Sequence, residues 1–214
     1  EACVKLRQDL DGRPWQPGEE RRAEYYYACD PCFAIGDFEG AKKRGAKYRN
    51  FPAYAYATQA AIVEVDRETG EVRLLKVIAA HDVGRAINPH IIEGQMHGSC
   101  SMGQGYALTE GYPTENGYPV KTLYRQLGLP RAEDTPDYEI ILIEDPEPQG
   151  PFGAKGISEV ATVPVTPAIL NAVSRAIGVR INKVPASPEV VLEAIRTGKC
   201  DVPTMEQQVK ELEK

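Results

Sequence analysis

The glycine-rich segment at residues 149–159 ends in the side chain best placed for chemistry. It reads QGPFGAKGISE, follows an apolar run, and places Glu159 directly before a second apolar stretch. Gly153 and Gly156 allow the backbone to approach a ligand closely. Apolar neighbours desolvate a carboxylate and move it toward the pKa range of a general base. From the residues alone, Glu159 is either a structural cap of the following turn or a catalytic base.

The spacing within this segment excludes two nucleotide-binding motifs. A Walker loop needs Gly-Lys followed by Ser or Thr, whereas here Lys155 precedes Gly156 and Ile157 follows. A dinucleotide fingerprint needs a different glycine spacing and an acidic residue about twenty positions further on. The segment therefore predicts close backbone approach to some other ligand.

Residues with the spacing of metal ligands are too few for a site. His97 lies four residues after Glu93, on one side of a predicted helix, but two ligands do not complete a metal centre. Cys29 and Cys32 have the spacing of a redox dithiol or half a zinc or iron-sulfur site, and no second such pair follows. We therefore expect no metal held by protein ligands, and we favour two semi-buried thiols for the cysteine pair.

Four strands are predicted. Residues 54–65 and 72–80 are rich in β-branched and aromatic residues around a short Gly-containing turn, which is typical of an antiparallel hairpin. Residues 138–143 contain a continuous apolar run that ends before Asp145-Pro146, and a further strand is predicted over 24–30. His81-Asp82 is interpreted as a strand-end pair that satisfies local backbone.

Three helices begin with a polar residue followed by proline, which caps free amides and presets φ. They are predicted over residues 89–109, from Thr166-Pro167 to Gly178, and from Ser187-Pro188 to Gly198. Strands and helices alternate without a strict βαβ rhythm, so the predicted fold class is α+β with mixed sheets.

Gly94 and Gly98 are four residues apart and share one face of the first of these helices. Two explanations remain open at this point: a bulky ligand or another backbone passes close to them, or the helix packs tightly on a sheet. Gln104, further along the same helix, is interpreted as mainly structural.

Composition narrows the class of protein. The chain has 214 residues with a formal net charge of -6, and its basic residues are scattered, so we expect no nucleic-acid binding. No apolar run reaches the length of a membrane span, and the first residues lack the order of a signal peptide. Five cysteines without an export signal favour reduced thiols, and we expect a cytoplasmic protein.

Five segments, taken in order, resemble the molybdenum-binding domain of the xanthine dehydrogenase and aldehyde oxidase family. They are IVEVDRETGEV at residues 62–72, HDVGRAINP at 81–89, IEGQ at 92–95, GQG at 103–105 and GAKGISE at 153–159. The resemblance covers about residues 50 to 198. It divides the chain into a connector with a first strand (1–50), the C-terminal portion of a molybdopterin-binding domain (51–200) and a charged tail (201–214).

The resemblance implies a molybdenum hydroxylase that acts on a purine, another N-heterocycle or an aldehyde. Glu159 would be the general base that takes a proton from the hydroxide ligand of molybdenum, and the small residues before it would bring it within reach. Gln95 would hydrogen-bond the molybdopterin, with Gly94 leaving room for it. The family loop also assigns Gly156, Ile157 and Ser158 to the cofactor side.

Two departures from the family pattern affect this expectation. Ser158 stands where the family has glycine, which narrows the approach to the acid. The chain is also several times shorter than family molybdenum subunits, so we expect a larger molybdenum-domain chain, a subunit with [2Fe-2S] clusters and an FAD subunit as partners. The cofactor is expected in a molybdopterin form, with the cytosine dinucleotide as one option. A noncatalytic scaffold or assembly subunit of the same kind of complex is the alternative.

Overall fold

The computed structural model describes residues 32–45, 47, 50–51 and 53–199. The chain divides into two compact units, Glu1–Pro52 and Ala53–Lys214. The strand predicted over 24–30, Cys29 and the predicted charged tail lie outside the described residues. In the first unit, helix α1 spans Phe38–Lys43, and the Asp37 side chain caps it by accepting from the Gly40 amide at 2.8 Å.

A three-stranded sheet organises the second unit. Strands β1 (Ala57–Val65) and β2 (Val72–Asp82) form an antiparallel hairpin. The Asp66 carboxylate accepts from the amides of Glu68 and Thr69 at 2.8 and 3.2 Å, which closes the hairpin turn. The predicted hairpin is thereby confirmed.

The last strand of this sheet runs parallel to its neighbour. Strand β5 (Asp137–Ile143) lies beside β2 with Asp82 opposite Ile143, so the sheet order is β1-β2-β5. The strand predicted over 138–143 is confirmed within one residue. Short strands β3 (Thr114–Glu115) and β4 (Tyr118–Pro119) form a separate two-stranded ribbon.

Helices cover one face of the sheet. Helix α2 (Pro89–Leu108) packs against helix α3 (Thr162–Ile177), and α3 packs against β1. Their buried apolar side chains join those of the strands in one core. Among its fully buried members are Val77, Met96, Val165, Ile169 and Val173. This mixed sheet with packed helices confirms the predicted α+β class.

Two predicted helices agree with the structure. Helix α2 begins after Asn88, whose side chain accepts from the Ile91 amide at 3.3 Å. Helix α4 (Pro188–Thr197) ends at Gly198, which adopts a left-handed conformation with φ of 68°. Glycine adopts the left-handed conformation with little strain, so it is the residue that most often ends a helix.

The predicted start of α3 is wrong. The helix begins at Thr162, directly after the 3-10 turn Glu159–Ala161, and Pro167 lies inside it. Thr166 does not cap a helix start, because its hydroxyl donates to the Gly103 carbonyl of α2 at 2.8 Å. The predicted end at Gly178 is confirmed by its left-handed φ of 79°.

Within the described part of the chain, one helical stretch is apolar and long enough to resemble a membrane span, namely Glu159–Ile177. Its buried side chains, Val165, Ile169, Val173 and Ile177, form a single stripe in the core. That one-sided burial is the pattern of an amphipathic core helix.

Candidate active site

The glycine-rich segment at residues 153–155 is attached to the end of β2. The Lys155 amide donates to the Val83 carbonyl at 3.0 Å, and the Arg85 amide donates to the Gly153 carbonyl at 2.9 Å. Gly84 and Ala154 complete an antiparallel bridge between the two segments. Two motifs that are about 70 residues apart in sequence therefore form one structural junction, since backbone groups pair with each other when withdrawn from water.

Gly84 is required at this junction for two reasons. Its φ of 64° lies in the left-handed region, and an added Cβ would collide with the carbonyl oxygen of Gly153 and crowd the Lys155 amide. A residue with a side chain would have to adopt a strained backbone and also move the loop. Glycine thus permits the close backbone approach on which the junction depends.

A buried ion pair joins the same two segments. Lys155 Nζ lies 2.6 Å from Asp82 Oδ2, and both side chains are only 6% exposed. Asp82 Oδ1 accepts from the Gly84 amide at 2.9 Å. The exposed Asp145 carboxylate lies 3.4 Å from the same Lys155 Nζ.

The pair shifts the titration of both partners. Burial acts to raise the pKa of Asp82, but the Lys155 ammonium and the Gly84 amide outweigh it and hold the pKa below its usual range. The hydrogen bond to Asp82 raises the pKa of Lys155 against the effect of burial. Both groups therefore stay charged near neutral pH and hold the loop electrostatically.

Glu159 follows this junction and opens the 3-10 turn Glu159–Ala161 that leads into α3. Its side chain is exposed, so the apolar surroundings expected from the sequence are absent among the described residues. Ile157 packs against the core, whereas Gly156 and Ser158 are exposed. The loop thus presents Glu159 outward from an anchored base.

Backbone carbonyls on both sides of Glu159 are held by side chains from other elements. Ser99 of α2 donates through Oγ to the Ser158 carbonyl at 3.3 Å. Gln59 of β1 donates through Nε2 to the Ala161 carbonyl at 2.9 Å. Because Ser99 lies one turn after Gln95 on α2, this helix links the two predicted site segments.

The face of α2 that carries Gly94 and Gly98 is open. An added Cβ at either glycine would meet no heavy atom of the described residues within 4 Å, and Gln95 beside them is exposed. Tight helix-sheet packing, one of the two explanations for these glycines, is therefore wrong. Close packing is found instead at Gly103, where an added Cβ would collide with Val165 of the neighbouring helix α3.

This open face fits a molybdopterin. It offers a smooth backbone surface at Gly94 and Gly98, and the Gln95 amide has no partner among the described side chains. An amide provides two donors and an acceptor, which suits the mixed polar edge of a pterin.

The histidines and Gln104 have structural contacts. His97 stacks on Tyr138 with ring centroids 5.1 Å apart, and His90 Nδ1 lies 3.8 Å from Glu93. Within residues 32–199, apart from the few not described, no three acidic, histidine or cysteine side chains are grouped to hold a metal ion. Gln104 is buried and donates to the Asp134 carbonyl at 2.8 Å, as its structural interpretation predicts.

A family model for the molybdopterin cofactor-binding domain matches residues 15–136, more than half of the chain. The chain belongs to this family. The match ends before the loop that carries Glu159.

Individual relatives extend the similarity. The chain is 38% identical over 142 residues to a probable xanthine dehydrogenase subunit of Bacillus subtilis, covering 66% of this chain and 19% of the relative. It is 37% identical over 147 residues to an aldehyde oxidoreductase of Megalodesulfovibrio gigas, covering 68% and 16%. The chain thus spans about a fifth of the length of the curated relatives it matches.

A solved structure supports the same fold. Quinoline 2-oxidoreductase from Pseudomonas putida 86 matches with a TM-score of 0.63 and 34% identity, over 67% of this chain and 19% of that one. The xanthine dehydrogenase and aldehyde oxidase resemblance predicted from the motifs is confirmed at the level of the family.

Sequence reasoning did not predict three residues that anchor the site: Lys155, Gln59 and Ser99. The sequence contains a pattern that could have identified Gln59. It is a polar residue on the same face of β1 as Ala57, Ala61 and Val63, which point inward. A weaker pattern indicates that Asp82 needs a partner, because it is a charged residue at the end of an apolar strand. Asp82 does satisfy local backbone, as predicted, but this interpretation omitted Lys155.

Proposed function

We propose that this chain forms the C-terminal part of the molybdopterin-binding domain of a molybdenum hydroxylase, with Glu159 as its general base. The observation that carries the proposal is the outward presentation of Glu159 from a loop anchored at Asp82 and Gly84. A carboxylate with a fixed backbone and a free side chain can reach a substrate or cofactor supplied from outside this unit.

The substrate class follows from the relatives. They are named for xanthine, for quinoline and for aldehyde, all of which offer an electron-poor carbon. We propose that the enzyme hydroxylates such a carbon in a purine, another N-heterocycle or an aldehyde, with water as the oxygen source. Glu159 accepts the proton of the attacking oxygen nucleophile, and the adjacent Ser158 hydroxyl restricts the approach.

The cofactor would be held from two sides of this unit. Gly94 and Gln95 on α2 form the pterin side, and the backbone of Gly156, Ile157 and Ser158 forms the side toward the base. When bound, molybdopterin supplies the two-electron oxidation chemistry, and the protein contributes placement and proton transfer. The cytosine dinucleotide form is one option for its nucleotide.

The partners complete the enzyme. The chain spans about a fifth of the length of its relatives, and we propose that a larger molybdenum-domain chain supplies the rest of the pocket. We propose an iron-sulfur subunit with [2Fe-2S] clusters and an FAD subunit as the path for electrons, in a cytoplasmic complex.

Mass spectrometry of the natively purified complex, combined with metal analysis, tests these partners and the cofactor together.

The role of Glu159 is tested by Glu159→Gln in the assembled complex. We expect kcat to fall at least about 100-fold with xanthine, quinoline or benzaldehyde and a dye acceptor, while molybdenum and pterin contents stay unchanged. Glu189→Gln is the matched control, because Glu189 also lies in the first turn of a helix. Unchanged turnover of Glu159→Gln would favour the noncatalytic scaffold or assembly role.

A further inference from the structure

The turn that carries Glu159 is fastened by one buried and one half-buried side chain, neither of which the proposed reaction itself uses. The Ser158 carbonyl, immediately before Glu159, accepts from Ser99 Oγ, and Ser99 is 4% exposed. The Ala161 carbonyl, two residues after Glu159, accepts from Gln59 Nε2. The two fastening groups come from α2 and β1, so each ties the turn to a different element.

Contacts on the other side of Gln59 determine the orientation of its amide. Gln59 Nε2 also lies 2.8 Å from His81 Nε2 of β2, a fully buried residue. Exchanging the amide oxygen and nitrogen would place Oε1 against the Ala161 carbonyl, where two acceptors repel. The amide nitrogen therefore donates to both groups, and His81 accepts through Nε2 with its proton on Nδ1.

This arrangement leaves two buried polar atoms unpaired, which lowers the stability of the fold. Gln59 Oε1 and His81 Nδ1 are buried without a hydrogen-bond partner in the described structure. An apolar residue at position 59 would avoid burying the unpaired amide oxygen, since a buried unsatisfied polar atom is destabilising. What the glutamine provides in return is its hydrogen bonds to His81 Nε2 and to the Ala161 carbonyl.

We propose that Gln59 and Ser99 are positioning residues for Glu159. They fix the backbone of residues 158–161, so that the exposed Glu159 carboxylate samples a narrow range of positions. This inference rests on the proposed role of Glu159 as general base. Small displacements of a reacting group are costly to catalysis, which gives such fastening a functional consequence.

The experiment compares Gln59→Met with Gln104→Met in the assembled complex. Both variants remove one amide that donates to a backbone carbonyl in the same unit, but only Gln59 holds the turn of Glu159. We expect Gln59→Met to lower kcat by about 10- to 100-fold with KM within about twofold. Gln104→Met should change kcat by less than about twofold, and both variants should keep their molybdenum content.

A second measurement does not depend on turnover. Hydrogen exchange of the peptide covering residues 156–164 should accelerate in Gln59→Met and in Ser99→Ala, but not in Gln104→Met. Ser99→Ala removes only a hydroxyl, so it keeps the test valid if Gln59→Met fails to fold. In the Glu159→Gln background, Gln59→Met should cause no additional loss of kcat, because its effect acts through the missing base.

The outcomes separate this inference from the proposed function. Full activity of Glu159→Gln overturns the proposed function, and the exchange measurement still decides whether Gln59 and Ser99 hold the turn. A large loss in Glu159→Gln together with equal kcat in Gln59→Met and Gln104→Met overturns the positioning role. An undiminished effect of Gln59→Met in the Glu159→Gln background overturns it as well.

Discussion

Two regions include residues of the family motifs but use their glycines in opposite ways: the junction between β2 and the glycine-rich loop, and the open face of α2. At the junction, Gly84 has backbone atoms of Gly153 and Lys155 against it, and Asp82 is paired with Lys155. On α2, an added Cβ at Gly94 or Gly98 would touch none of the residues that the structure describes, and Gln95 is exposed. Motif residues of the first region hold this unit together, whereas those of the second are available to another molecule.

This difference distinguishes two roles for motif glycines. Where atoms of the same unit occupy the space that a Cβ would take, the glycine is structural, and its substitution should lower the stability of the fold. Substitution of a glycine on an open face should instead weaken the binding of another molecule. Three sets of substitutions each compare a buried residue with an exposed one, beginning with the largest expected effect.

Removing the buried carboxylate should cause the largest loss of stability. Asp82→Ala leaves the Lys155 ammonium in a site where its side chain is 6% exposed, with the weaker partner Asp145. We expect the Tm of the purified protein to fall by about 10 °C, measured by calorimetry, because a buried charge without its partner is strongly destabilising. Asp145→Ala is the control and should change Tm by less than about 2 °C. Equal shifts for both variants would contradict the importance of the buried pair.

The two glycine positions should respond in opposite directions. Gly84→Ala combines a strained left-handed backbone with a collision at Gly153, so we expect Tm to fall by about 5 °C. Gly94→Ala lies on an open helical surface and should keep or raise Tm, because alanine favours helix by up to about 1 kcal/mol. In the assembled complex, Gly94→Leu should lower the pterin content at unchanged Tm. Loss of Tm in Gly94→Ala would show that the α2 face is packed in the protein.

The pH dependence of stability should show the smallest effect. Burial lowers the pKa of His81 from its ordinary value of 6.5, so the folded protein favours the neutral ring. The unfolded chain takes up the proton first as the pH falls, and the stabilisation present above pH 6.5 is lost below it. Tm should therefore decrease from about pH 7.5 to about pH 5.5, and His81→Gln should flatten this decrease. His90→Gln, at a side chain 97% exposed, should leave the slope unchanged.

Local patterns predicted most of the elements. The hairpin of β1 and β2 followed from residue composition around the Asp66 turn, and α2 and α4 followed from a polar residue before proline. These signals are short-range, because capping and turn bonds join residues that are close in sequence. The start of α3 was misplaced because Pro167 follows a polar residue, as at a helix start, but lies inside a helix that begins at Thr162.

The sequence predicted only part of the candidate site. Glu159 and Gln95 came from motif resemblance, and their placement on an anchored loop and an open helix face came from the structure. Gln59, Ser99 and Lys155 were missed because each acts on a group more than about 50 positions away in the chain. No local pattern encodes which carbonyl or carboxylate such a side chain will meet.

The sequence by itself determined most of the longer strands and helices, the α+β class and the family, because these depend on neighbouring residues and ordered motifs. The tertiary structure alone decided which motif residues are buried partners and which face outward. That division depends on packing between β1, β2, α2 and the loop before α3, where close backbone approach and a buried ion pair arise only once distant segments meet.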